Sequence, residues 1–413
     1  MRRLVVVGAS LAGLRAVEAA RKSGFDGEIT LIGAETHLPY DRPPLSKEYL
    51  GADNAREHPP FRDESQLRDE LAVTLRLGAP ATRLDTHRRV VTVRGDEVPY
   101  DALVIATGAH ARTLPDSHRL QGVHALRTVD DARAIRAALD AGARTVVIGA
   151  GFIGSEIASS ASKRGVDVTV VEALPTPLVR AIGDLIGPAV AGLHERHGTR
   201  LICGVSVEAF VGQDKVSAVR LSDGTERRAD LVVVGIGTLP STEWLEGSGL
   251  TIDNGVVCDE TLFAGADGVF AAGDVARWRN PLFDRMQRLE HWTSASEQGA
   301  TAARNALDPS NAKPYSTVPY FWSDWYGRRI QFVGIADADE VVVVDGDIDS
   351  DGRWVALYRK DDKLVGALTL DGQAVIMKYR GLIMKRATWQ DALEFAEKRR
   401  ASLAAKAADN ATA

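Results

Sequence analysis

Two stretches of the chain share one pattern of apolar and small residues. Residues 4–33 and 145–172 each open on a continuous apolar run and turn on glycine. They then pass through small residues at helical spacing and end in a β-branched run. A short apolar run bounded by glycine predicts a strand buried on both faces, and the periodicity that follows it predicts a helix. The pattern is a βαβ unit, present twice. Each repeat is followed by another apolar run ending in glycine, at 101–108 and 230–237, so each is expected to own a parallel sheet. A third such run, 268–274, has no glycine-helix of its own and is expected to return to the first sheet.

Beyond residue 314 the pattern changes to aromatic and alternating β-branched runs at 319–327, 329–335, 339–346, 354–360 and 363–370, which predict a small antiparallel sheet. Helical periodicity closes the chain around 374–384 and 388–403, and 401–413 is small and polar, as in a frayed helix or flexible tail. The expected fold class is α/β: two Rossmann-like dinucleotide-binding domains plus a C-terminal α+β domain. The expected boundaries are 1–110 with 240–315 for the first domain, 111–239 for the second and 316–400 for the third.

Composition narrows the function. A 413-residue chain with 45% hydrophobic and 26% charged residues is that of an ordinary globular protein of two to four domains. A net charge of −6 argues against nucleic acid and anionic membrane surfaces as partners. The two cysteines, Cys203 and Cys258, stand in no metal-ligand or CxxC spacing, so a zinc site, an iron–sulfur cluster and a redox dithiol all lack residues. The N-terminal apolar run breaks at Gly8, too soon for a signal peptide, which makes the cytoplasm the expected location.

The second glycine turn, Gly149-Ala150-Gly151-Phe152-Ile153-Gly154, is a full GxGxxG, and Glu172 stands at the end of the next strand. Glycines there allow a tight turn, close approach of backbone to a pyrophosphate and helix–strand packing, while the helix N-terminus offers N–H groups and a positive dipole end. A carboxylate at Glu172 suits both ribose hydroxyls and repels a 2′-phosphate, so NADH is preferred over NADPH; Arg180, close by in sequence, leaves that preference open. Gly237 closes the neighbouring strand.

The first turn, Gly8-Ala9-Ser10-Leu11-Ala12-Gly13, has serine in place of the middle glycine but keeps Ala12 and Gly13, with Glu35 at the end of the second strand. Two dinucleotide sites in one chain, with no constellation for reducing an alcohol or aldehyde, suggest one dinucleotide passing electrons to another, and FAD is the carrier that receives them. The Gly273-Asp274 strand end supports FAD, since a carboxylate there accepts hydrogen bonds from ribitol hydroxyls; its other reading is a plain turn residue.

Together with 39–47 (PYDRPPLSK), Ala106-Thr107-Gly108, Leu126-Arg127-Thr128, Gly151–Glu156, Ala272-Gly273-Asp274, Glu290-His291-Trp292, Glu297-Gln298-Gly299 and Phe321-Trp322-Ser323-Asp324, these motifs run in order over about residues 3–385. The sequence resembles the oxygenase-coupled, FAD-dependent NADH–ferredoxin reductases, with apoptosis-inducing factor as a relative. The resemblance implies a glutathione-reductase-like architecture, with FAD in the first domain and NAD in the second. It implies Lys47 beside the flavin with Glu156 as its carboxylate partner. It also implies FAD contacts at Arg127, at the Ala81 backbone against adenine and at Arg42 near a phosphate, and Trp292 next to the isoalloxazine on the side facing the ferredoxin. An ordinary packing tryptophan is the other reading of Trp292.

The activity so implied is hydride transfer from NADH to FAD, then single-electron transfer to an iron–sulfur ferredoxin that feeds a cytochrome P450 or a ring-hydroxylating dioxygenase. A monomer or homodimer is expected. An NADH oxidase or quinone reductase, and an NADH-switched binding protein like apoptosis-inducing factor, are the alternatives. Lys378, Arg380, Lys385 and Arg386 read equally as a steering patch for an acidic ferredoxin or as a solvated face. Asp347, Asp349 and Asp351 begin like a calcium loop, but Tyr358 stands where the bidentate glutamate belongs, and an acidic hairpin loop is expected.

Overall fold

A computed structural model describes residues 2–51, 58–117, 119–350 and 352–412. Asp351 and the Arg180 side chain, both invoked above, lie outside what it describes. The chain divides into two compact units, each stitched from three separate segments.

The first unit comprises Met1–Pro43, Arg56–Ala111 and Thr238–Thr317. Its centre is a five-stranded parallel sheet in the order Val269–Ala271, Ala102–Ile105, Arg3–Val7, Glu28–Ile32, Val73–Arg76. Val5 lies opposite Thr30 on one side and Leu103 on the other, and Val269 opposite Leu103, so the 268–274 run does return to this sheet. The strands are apolar on both faces because helices cover them. The Leu11–Lys22 and Trp292–Leu307 helices meet through small residues: a Cβ built on Gly299 falls 2.1 Å from the Ala12 carbonyl oxygen, an approach only glycine permits. A three-stranded antiparallel sheet, Ala81–Asp85, Val90–Val93 and Asp96–Pro99, is appended.

The second unit comprises Pro44–Ala55, Arg112–Gly237 and Val318–Ala413. It holds a second five-stranded parallel sheet, Arg200–Cys203, Val168–Glu172, Thr145–Ile148, Leu231–Val234, Val123–Ala125. It also holds the expected antiparallel sheet, in the order Tyr320–Trp325, Arg328–Gly334, Lys363–Leu370, Trp354–Lys360, Glu340–Asp345. Residues 44–51 cluster here although the sequence reading places them in the 1–110 domain; the physical reason is Leu50, buried in one core with Ile157 and Ala161. The Phe152–Ser162 helix is buried nearly all round, since the sheet covers one face and the 44–51 segment and the 320–334 hairpin occupy the others.

Helices Gln373–Met384 and Trp389–Thr412 close the chain, and the second takes in the small polar stretch at its end. The acidic 347–350 segment is a turn in which the Asp347 carboxylate accepts the Asp349 N–H at 2.9 Å. Among the described residues no helix is long and apolar enough to cross a membrane.

Candidate functional site

In the first unit, strand, turn and helix touch backbone to backbone. A Cβ on Gly13 would stand 1.9 Å from the Gly8 carbonyl oxygen, and one on Gly8 would stand 2.0 Å from that of Ala106. Ser10 takes an extended conformation at the head of the Leu11–Lys22 helix without capping it through its side chain. The first N–H groups of that helix have no intrahelical partner, the arrangement that receives a phosphate.

Glu35, expected at the end of the second strand, lies in the bend three residues beyond its last residue, Ile32; it accepts 2.5 Å hydrogen bonds from Arg42 Nη2 and Tyr40 Oη, and the Arg42 guanidinium lies 5.0 Å from the centre of the Tyr40 ring. Burial disfavours the Arg42 charge, yet Tyr40, Glu35 and Asp274 outweigh it and hold its pKa above the ordinary value. Arg42 Nε also reaches Ser10 Oγ at 3.3 Å, which ties the 39–47 motif to the glycine turn. Tyr40, the hub of this cluster, was not singled out by the sequence reading; its only signal was membership of that motif.

Gly273 has φ +78° and donates its N–H to Gln298 Oε1 at 2.8 Å, while the Asp274 carbonyl accepts from Arg288 Nη1 at 3.0 Å. Thr107 Oγ1 donates to the Ser241 carbonyl at 2.9 Å, and the following Gly108 has φ +67°. Trp292 is half-buried, its indole N–H donating to Asp41 Oδ1 at 2.8 Å. Ala81 opens the appended antiparallel sheet and is half-buried.

The second unit repeats the turn. Gly149 has φ +99°, and a Cβ on Gly154 would lie 2.1 Å from the Gly149 carbonyl oxygen, whereas one on Gly151 would meet no atom within 4 Å. Helix and strand thus press together at Gly149 and Gly154, while space is kept at Gly151, as a dinucleotide requires. Glu172 is held by two backbone amides, from Ala150 at 2.8 Å and Leu174 at 2.9 Å, which fixes a carboxylate beside the turn. Ile153 is exposed on the first helical turn, and the Phe152 ring packs 4.7 Å from that of Phe321. Gly237 has φ +95°, and the Arg127 amide donates to Asp131 Oδ2 at 3.0 Å.

The same unit buries an ion pair. Lys47 Nζ lies 2.9 Å from Glu156 Oε2, and Glu156 is nearly inaccessible to solvent. Ser46 Oγ donates to the same oxygen and Ser323 Oγ donates to Oε1. Spacing alone gave no signal for these two serines, which lie far from Glu156 in sequence. A buried carboxylate so supplied with donors is a fixed negative charge, and it holds the lysine ammonium at a defined place.

The sequence is matched over residues 2–299 by a family described as pyridine nucleotide-disulphide oxidoreductase. The chain belongs to that family. Residues 320–403 match a second family, the reductase C-terminal domain. Rhodocoxin reductase of Rhodococcus erythropolis is 38% identical over 84% of this chain and 81% of its own length. The ferredoxin reductase component of chlorobenzene dioxygenase from Cupriavidus sp. (strain PS12) is 36% identical over 94% of each. A chain in the crystal structure of the covalent putidaredoxin reductase–putidaredoxin complex superposes with a TM-score of 0.87 at 32% identity, over 93% of both. This pyridine nucleotide-disulphide oxidoreductase carries no redox dithiol: Cys203 and Cys258 are both free, and burial pushes the Cys258 thiol up to about 12.

Proposed function

We propose that this chain is an FAD-dependent, NADH-preferring ferredoxin–NAD(+) reductase of the cytoplasm, whose ferredoxin supplies a cytochrome P450 or a ring-hydroxylating dioxygenase. The observation that carries the reading is the presence of two dinucleotide turns in a chain without a dithiol. Electrons taken from NADH then have no sulfur relay to pass through, and a one-electron metal centre on another protein suits a carrier that must deliver directly. The first-named relatives are themselves reductases of this kind, matched over most of their length.

Residues 1–110 with 240–315 would hold FAD through Gly8, Ser10, Ala12, Gly13, Ala106–Gly108, Gly273 and Asp274, with Glu35 and Arg42 toward the adenosine and phosphate groups. Residues 111–239 would hold NADH through Gly149–Gly154, Glu172 and Gly237, and 316–400 would form the C-terminal α+β domain. When bound, FAD supplies the chemistry that accepts a hydride from NADH and releases electrons singly. The protein's part is to orient both dinucleotides, exclude water and keep the Lys47 charge in place, so proximity and fixed charge do most of the work.

The test is anaerobic reduction of the yellow holoenzyme with one equivalent of NADH, followed by mixing with an oxidised [2Fe–2S] ferredoxin while both chromophores are followed. Rapid flavin bleaching followed by rapid cluster reduction is expected. A flavin that bleaches but retains its electrons as a stable NAD complex would favour the switch-like alternative. Faster turnover with oxygen or quinone than with any ferredoxin would favour an oxidase or quinone reductase.

A further inference from the structure

We propose that Ser46 and Ser323 are positioning residues for electron transfer: their hydroxyls fix the Glu156 carboxylate, and through it the Lys47 ammonium, in the orientation the flavin requires. The proposal rests on the reading that Lys47 serves the flavin, and it assigns work to residues outside the ion pair itself.

The geometry leaves each hydroxyl little choice. Trp325 Nε1 donates to Ser323 Oγ at 2.8 Å. An indole N–H is only a donor, so the serine oxygen must accept there, and its single proton is directed to Glu156 Oε1. Ser323 and Trp325 are both wholly buried, so no water competes for the rotor. On the other oxygen, Oε2 takes Lys47 Nζ and the Ser46 hydroxyl together.

Residue 46 is itself gripped a second time by the same helix. Ser160, one turn beyond Glu156, donates to the Ser46 carbonyl at 2.8 Å. The carboxylate is thereby clamped between a chain segment and a β-hairpin, and neither of its oxygens is left to a mobile donor. Hydrogen bonds from neutral donors to a buried charge are about twice as strong as neutral pairs. Loss of one lets the carboxylate, and the ammonium paired with it, take up other orientations.

The experiment compares the holoenzymes of S46A, S323A, S46T, S323T and K47M with wild type by anaerobic stopped-flow with NADH, which separates the limiting rate of flavin bleaching from the NADH Kd. Spectroelectrochemistry supplies the flavin midpoint potential. Each alanine variant is expected to lower the limiting rate about tenfold, the equivalent of one charge-assisted hydrogen bond. It should also displace the potential in the same direction as K47M, with NADH Kd within about twofold of wild type and with the threonine variants restored. Alanine variants that match wild type while K47M is slow overturn the proposal and leave the role of Lys47 standing. Alanine and threonine variants that fail together also overturn it, since packing and not the hydroxyl would then be responsible. A K47M enzyme with wild-type rate and potential overturns the flavin-side reading of Lys47 and this proposal with it.

Discussion

Replacing Gly151 and Gly154 separately by alanine should divide binding from folding. At Gly154 the added carbon would lie 2.1 Å from the Gly149 carbonyl oxygen, with Val147 Cγ1 at 3.3 Å. A carbon and a carbonyl oxygen settle at roughly 3.3 Å or more, so helix and strand must part by about 1.2 Å with no flexible side chain to give way. Overpacking in cores costs about 1–3 kcal/mol, and a clash against backbone belongs at or above the upper end.

At Gly151 the added carbon meets nothing within 4 Å, and φ −73°, ψ 177° is open to alanine. The loss of unfolded-state freedom there, about 0.4–1 kcal/mol in favour of alanine, is opposed by a comparable preference for glycine over alanine at a helix N-cap. Stability should stay within about 0.5 kcal/mol of wild type. The methyl does, however, occupy the space a pyrophosphate needs to reach the helix N–H groups. Forfeiting one charged hydrogen bond worth about 1.5–3 kcal/mol weakens NADH binding roughly 10- to 150-fold. Urea unfolding and the saturation of stopped-flow bleaching read the two quantities. A G151A enzyme that binds NADH like wild type would refute the dinucleotide reading of this turn, and a G154A protein of undiminished stability would refute the packing argument.

Three further outcomes are expected. At an effective dielectric near 20, two unit charges about 4 Å apart repel by about 4 kcal/mol, so removing the Glu172 carboxylate (Glu172→Ser) should narrow the preference for NADH over NADPH at least about tenfold in kcat/KM. His194 is buried between Tyr326 Oη at 2.7 Å and Ser155 Oγ at 3.0 Å; burial, with His197 adding to it, pulls its pKa down to about 4. The unfolded chain takes up this proton below about pH 6.5 and the folded one only near 4. Stability is therefore full above about 6.5 and falls by about 3 kcal/mol on acidification toward 4, and urea titrations of wild type against His194→Gln should find that slope flattened in the variant. The double variant Cys203→Ser, Cys258→Ala should retain NADH–ferredoxin turnover within about twofold, since buried or unpaired thiols do not relay electrons.

Glycine spacing made the two βαβ units legible because a backbone held within about 2 Å of where a Cβ would stand tolerates no side chain, so the requirement is written directly in the sequence. The antiparallel sheet after residue 318 was legible for a related reason, its β-branched and aromatic alternation. The Lys47–Glu156–Ser46–Ser323 cluster was not. Its members are brought together by tertiary closure across more than a hundred residues, and a lysine, a glutamate and two serines have no local spacing to advertise. Resemblance supplied the ion pair and carried both serines inside its motifs without a role for either; their bonds to Glu156 are visible only in the fold. The excursion of 44–51 into the second unit was hidden likewise, because Leu50 reads as an ordinary apolar residue until its neighbours are known.

The twofold interruption of the first unit bears on how the protein is made. Its sheet lacks an edge strand until Val269–Ala271 has been synthesised, and the helix that covers it, Trp292–Leu307, comes later still. The parallel sheet of the second unit, by contrast, has all five strands once Val234 is in place. On a ribosome adding about 5–20 residues each second, the chain's opening βαβ must wait exposed while the later-encoded sheet closes first. Of the two parallel sheets, the one begun first is thus completed second, and it is during that interval that the apolar strands near the N-terminus are most open to chaperones and to aggregation.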